Sequence, residues 1–155
     1  MLDKLKDEII QFLQQYEVAH LALSGRDGPW ASVVSFVNAG LTLYLIEPRA
    51  SDLVFYVEND PHVALTVGEP TAEPQGRERE SVQLFGNAQV LAPHELRGMP
   101  DDVQRAYGLK NRQVPGVYVV IEVKPRQVYR VTHSKGATHR DTIDVDSPDH
   151  REYAR

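Results

Sequence analysis

The stretch SVQLFGNAQVL (81–91) alternates apolar and polar residues over the length of a long β-strand, with Gly86 at its centre as a candidate bulge or barrel bend. Upstream, HVALTVG (62–68) reads as a second strand. Between the two, EPTAEPQGRERE (69–80) is a polar loop too rich in proline, glycine and charge to pack. Downstream, residues 93–109 read as one or two short helices broken by Gly98 and Pro100. GVYVVIEVKPRQVYRVTH (116–133) is β-branched and aromatic, a strand that Pro125 forces to an edge, a bulge or a break.

The N-terminal half repeats the pattern. Leu5, Ile9, Phe12, Leu13 and Tyr16 recur at helical spacing against Lys4, Lys6, Asp7, Gln11 and Gln14, which predicts an amphipathic first helix that packs on a sheet. VAHLALS (18–24), ASVVSFV (31–37) and LTLYLI (41–46) follow, joined by GRDG and NAG. Connections this short make an antiparallel meander. SDLVFYVENDP (51–61) starts with a helix-capping serine and stops at proline, so it reads as a short helix despite its valines.

Composition narrows the function. The 155 residues contain no cysteine, which excludes disulfides, thiolate metal sites and cysteine nucleophiles. Charges interrupt every apolar stretch near the N-terminus, so neither a signal peptide nor a membrane span is expected, and the expected location is cytoplasmic. The net charge is −5 with scattered basic residues, which argues against nucleic acid as a partner. One domain over 1–143 is expected, with a polar, flexible tail over 144–155.

Roughly six strands with small helical decorations favour a closed or nearly closed antiparallel barrel, since closure removes unpaired edges. Asp27-Gly28 followed by ASVVSFV, G-LTLYL (40–45), S-x(9)-P-x-VALTV (51–67) and VQLFGNAQVL (82–91) together resemble the pyridoxamine 5′-phosphate oxidase-like split-barrel family, over about Val18 to Val131. The resemblance implies a six-stranded antiparallel split β-barrel of the FMN-binding type. It also implies a homodimer that holds FMN in the cleft between subunits; independently, the open seam of such a barrel and the apolar, β-rich run GVYVVIEV (116–123) predict a two-fold homodimer with a partly apolar interface.

On that resemblance, the cofactor-binding candidates are Ser35, Arg49, Ser51, His139 and Arg140. In the family, a threonine and then Ser-x-Lys-x-x-Asn-Leu grip the phosphate after the third strand; here Glu47, Asp52 and Leu53 stand among those places, and the serine is kept as Ser51. A phosphate wants cations and hydrogen-bond donors, so the two carboxylates have the wrong sign and Leu53 can donate nothing. Arg49 can still offer a guanidinium fork. His139 and Arg140 come from HSKGATHRDTI (133–143), which resembles a Gly-x-x-His-Arg-Asp/Glu stretch after the last barrel strand in some members.

Trp30 and Tyr44 are aromatic strand residues that can stack on a flavin or pack in the core. HRD (139–141) spells a kinase tripeptide without the glycine-rich loop that would support it. His20 reads as a half-buried structural histidine, and His62 and His94 as surface residues; no metal-binding spacing links them. Asp144 and Asp146 form a lone D-x-D, and Ser24, Ser32 and Ser35 lack a recognisable base. The leading expectation is therefore a flavin-linked oxidoreductase of a small substrate, in which the flavin carries the redox chemistry. The alternatives are a haem-binding or haem-degrading barrel using His133 or His139, a deazaflavin in place of FMN, and a cofactor-free binding module.

Overall fold

Alternation along the strands gives the sheet one apolar face, and the chain buries that face by rolling the sheet into a ring. The computed structural model describes residues 2–68, 79–134 and 136–145. Along the chain come α1 (Leu2–Leu13), β1 (Val18–Gly25), β2 (Gly28–Ala39), β3 (Thr42–Pro48), α2 (Asp52–Asn59) and β4 (His62–Gly68). They are followed by β5 (Arg79–Val90), a 3₁₀ turn (Glu95–Gly98), α3 (Asp101–Gln113), β6 (Tyr118–Ser134) and β7 (Ala137–Asp144). The strand order is β3-β2-β1-β4-β5-β6-β7, every pairing is antiparallel, and an additional β3–β6 pairing closes six strands into a barrel. The split-barrel expectation holds. The 69–78 part of the expected polar loop, and the expected tail from residue 146 onward, lie outside the described residues.

The barrel interior is filled by inward residues such as Leu21, Leu43, Leu65, Leu84 and Ile121, all essentially fully buried. A helix shuts each end. α1 inserts Leu5, Ile9, Phe12 and Leu13, and α2 inserts Leu53, Val54 and Val57. Fully burying one such aliphatic side chain is worth about 1.5–3 kcal/mol. A second, smaller core lies outside the ring, where α3 presses Val103 onto Tyr44, Ile46 and Val120. The run GVYVVIEV is thereby used up internally. Val119, Ile121 and Val123 face the barrel interior and Val120 lies under α3, so this run is not a free surface for a partner.

β6 changes partner halfway along. Its residues Tyr118–Val123 pair with β3, whereas Gln127–Ser134 pair with β7 on the same edge. Pro125 falls in the gap between the two, where its missing N–H costs no ladder bond on that edge. Opposite it, the β5–β6 register shifts between Phe85 and Gly86. A Cβ on Gly86 would lie 2.4 Å from the Lys124 carbonyl oxygen, so the two backbones approach too closely for any side chain. The expected bend at Gly86 and the interruption at Pro125 are thus one feature.

β7 was not foreseen as a strand. Only Ile143 in it is buried, and its polar positions are satisfied by pairing with β6, so it carries no apolar alternation to read. His20, expected half-buried, is exposed on the outer face of β1.

Gly86→Ala should lower stability by about 2–3 kcal/mol, the cost of forcing backbone apart in a packed sheet. Gly98→Ala, which would meet nothing within 4 Å, should change it by less than about 0.5 kcal/mol. Urea unfolding of the two variants measures the contrast, and equal midpoints would show that the close approach is not needed.

Candidate functional site

At the α2 end of the barrel, β3 runs out through Glu47 and Pro48 into Arg49, whose backbone N–H donates to the Val117 carbonyl at 2.8 Å and extends the ladder by one bond. Ser51 then caps α2, its hydroxyl oxygen accepting from the Val54 N–H at 3.4 Å. The Ser51 hydroxyl hydrogen remains available to an acceptor. Arg49 is exposed, and its guanidinium has no ion-pair partner among the described residues. It borders a groove of about 510 Å³ that is also lined by Val57, Pro61, Ala88 and Leu91. The groove also carries the exposed Glu58 carboxylate, and Ser51 stands two residues beyond Arg49 in the turn before α2; a free guanidinium beside apolar surface can pair with a monophosphate ester.

The opposing charges are weaker than the sequence suggests. Burial holds the Glu47 carboxyl above the ordinary carboxylate value, and the Lys110 ammonium of α3 pulls it part of the way back. Asp52 is exposed, so solvent screens it. Leu53 is only 3% exposed and belongs to the barrel core. That position cannot present a cation to the groove, because any side chain there points inward.

His139 and Arg140 lie at the other end of the molecule, on β7. Adjacent strand residues point to opposite faces. His139 Nε2 donates to Asp141 Oδ1 at 3.1 Å, and the guanidinium of Arg140 sits 4.9 Å from the Tyr129 ring centroid on the other side. On the His139 face, Arg130 donates to Asp141 at 2.9 Å and to Glu8 of α1, tying the helix to β6 and β7. Burial alone would raise the Asp141 carboxyl, but hydrogen bonds from Arg130 and His139 outweigh it and hold the group below its ordinary value.

Within one chain the candidates form two separate groups. Pro48, next to Arg49, pairs with Tyr118, and Arg140 pairs with Val131. These partners stand 13 residues apart along β6, which separates the two groups by up to about 43 Å at the rise of a strand. Ser35 sits on the outer face of β2, paired with Val18, and is exposed. Among the described residues no single cavity holds all five. Tyr44 is buried under α3 with its hydroxyl donating to Glu122 at 3.1 Å, so it packs and does not stack on a ligand. Trp30 packs on Tyr56 with ring centroids 5.6 Å apart. No group of three or more His, Asp or Glu among the described residues is placed to hold a metal ion.

Sequence reasoning missed Lys110, whose Nζ donates to the Ile46 carbonyl at 3.4 Å and lies 5.5 Å from the Tyr118 ring centroid. Nothing in its helical spacing distinguishes it from a solvated lysine.

The family model described as pyridoxamine 5′-phosphate oxidase matches residues 5–132. Among solved structures, the fold resembles general stress protein 26 from Bacillus anthracis, with 20% identity over 88% of this chain and 98% of that one and a TM-score of 0.63. It also resembles an FAD-binding protein from Mesorhizobium loti, with 21% identity, 82% and 94% coverage and a TM-score of 0.64. A heme-binding protein from Mycobacterium smegmatis gives 19% identity over 87% of this chain and 56% of that one, with a TM-score of 0.64. At these identities the likeness is one of fold. A search of curated proteins gives no significant match.

The anchor at Asp141 has a pH signature. A carboxyl held below its ordinary value contributes stability that is full above about pH 4 and is lost as the pH falls through the lower folded value. Arg130→Gln removes the hydrogen bonds that lower it. The stability difference between wild type and variant should therefore be largest near neutral pH and shrink below about pH 4. Urea titrations from pH 3 to 7 read this out, and a difference independent of pH would assign Arg130 a packing role only.

Proposed function

The chain belongs to the pyridoxamine 5′-phosphate oxidase family, and on that footing we propose that it is a flavin-linked oxidoreductase of a small substrate, holding FMN between the two subunits of a homodimer. The observation that carries the reading is the unpaired guanidinium of Arg49 on the groove beside α2, two residues before the Ser51 cap of that helix. Arg49 would clamp the phosphate and Ser51 would donate to it, while Val57, Ala88 and Leu91 offer apolar surface nearby. The flavin supplies the electron transfer when bound; the chain supplies orientation and hydrogen bonds.

The separation of the candidates supports the dimer. Arg49 and Arg140 cannot reach one ligand from the same chain, but a two-fold mate can bring Arg140 of the partner subunit to this chain's Arg49. The surface for that mate is the uncovered outer face of β2, β1 and β4. There Ala31, Ala22 and Ala64 stand side by side across the strands, and Val33 is 61% exposed in the neighbouring row. Small residues on a flat sheet face allow close approach of a second copy, and exposed apolar surface of this kind favours burial.

Arg49→Ala should weaken FMN by about 10- to 100-fold, corresponding to a charge-assisted contact of about 1.5–3 kcal/mol, and leave riboflavin, which lacks the phosphate, nearly unchanged. Flavin fluorescence titration measures both ligands. A parallel loss for both would remove the phosphate assignment. A purified protein with a Soret band in place of flavin absorbance would favour haem.

Light scattering should return twice the 17.5 kDa chain mass. Val33→Glu, placing a charge on the proposed interface, should shift it toward the monomer at micromolar concentration. A monomeric wild type would remove the shared cleft.

A further inference from the structure

We propose that Lys110 of α3 provides the second cation for the phosphate at the end of β3, supplying from another element what Leu53 cannot supply from α2. The inference rests on the flavin-nucleotide reading above. Lys110 is half-buried and its ammonium is positioned by two contacts: the hydrogen bond to the Ile46 carbonyl at 3.4 Å and the face of Tyr118 at 5.5 Å. A lysine held in this way has already lost much of its rotamer freedom, which an anion would otherwise have to overcome on binding. The ammonium has three donors and the Ile46 carbonyl takes one. Among the described residues no carboxylate lies within 4 Å of it, although Glu47 is close enough to be influenced by its charge.

Lys110 is not part of the groove lining but anchors at the strand end from which Arg49 emerges. Ile46, which accepts from Lys110, is three residues before Arg49, so their backbones are at most about 11 Å apart. Arg49 follows that strand end in the chain, and Lys110 reaches it from α3 over Tyr118, which pairs with Pro48. Two cations from different elements then flank one turn, and neither is neutralised by a contact ion pair. Lys110 differs in this from Lys124, which pairs with Glu122 at 3.5 Å, and from Arg130, which is shared between Glu8 and Asp141.

The competing account is that Lys110 serves only to offset the charge of Glu47. The two accounts separate in a double-mutant design, because a lysine needed only for Glu47 becomes dispensable once Glu47 is glutamine. FMN and riboflavin are titrated by fluorescence against Lys110→Met, which keeps the aliphatic stem on Tyr118, and Lys110→Arg, each with Glu47 and with Glu47→Gln. The expected result is that Lys110→Met weakens FMN about five- to tenfold in both backgrounds, moves riboflavin less than about twofold, and is largely rescued by Lys110→Arg. A loss confined to the Glu47 background, a parallel loss of riboflavin, or no loss of FMN overturns the proposal. Arg49→Ala in the same assay distinguishes the two levels. If it discriminates FMN from riboflavin while Lys110→Met does not, only Lys110 is reassigned; if neither discriminates, the phosphate reading falls as well.

Discussion

The architecture depends on one strand having three neighbours. β6 must pair with β5 along nearly its whole length, with β3 over its first part and with β7 over its second. A straight strand cannot do this in a closed ring, since the outer edge has to leave the barrel partway along. The irregularity opposite Gly86 allows β6 to bend there, and Pro125 marks the interval between its pairings with β3 and β7 on the other edge. Closure by β3 fixes the end of the barrel at which Arg49 emerges. The departure toward β7 fixes the other end, where Arg130 ties α1 to the sheet.

The geometry of α2 follows from the same closure. A short helix that plugs a barrel end has to turn Leu53, Val54 and Val57 inward, so a cation on the inward side would be buried without a partner. The donors available to an anion are then restricted to the turn before the helix and to whatever neighbouring elements bring over it. α3 is the neighbour that comes over, because its apolar side covers the outer face of β3 and β6 and its last turn reaches the strand end. The second core and the arrangement of charges at the site are in this sense one packing decision.

The barrel was legible because most strands carry apolar residues at alternate positions and β3 and the start of β6 are short continuous apolar runs, and α2 was legible because Ser51 and Pro61 punctuate it more strongly than its valines oppose it. Three things were not legible. β7 shows no alternation, since a strand paired on one edge and mostly exposed needs only Ile143 inside. GVYVVIEV looked like interface because an unbroken apolar run does not say what covers its second face; here α3 covers Val120 within the same chain. The family position of a lysine fell on Leu53, whose inward direction is a property of the barrel end and not of the local pattern. Of the candidate residues, Arg49 and Ser51 are neighbours at the barrel end, whereas His139 and Arg140 are at the opposite end and face opposite ways, as adjacent residues of an unrecognised strand must.

The charge balance at the end of β3 has a consequence for how a phosphate would be held. Arg49 and Lys110 are opposed by Glu47, Asp52 and the groove-lining Glu58, two cations against three carboxylates, so long-range attraction contributes little. Asp52, being exposed, is largely screened and cancels less than a full charge. Glu47 is half-buried, and that burial holds it above its ordinary value while the Lys110 ammonium pulls it part of the way back. On the proposed reading, grip on a phosphate would come from directed hydrogen bonds, from the guanidinium fork, the ammonium and the Ser51 hydroxyl, and less from net positive charge.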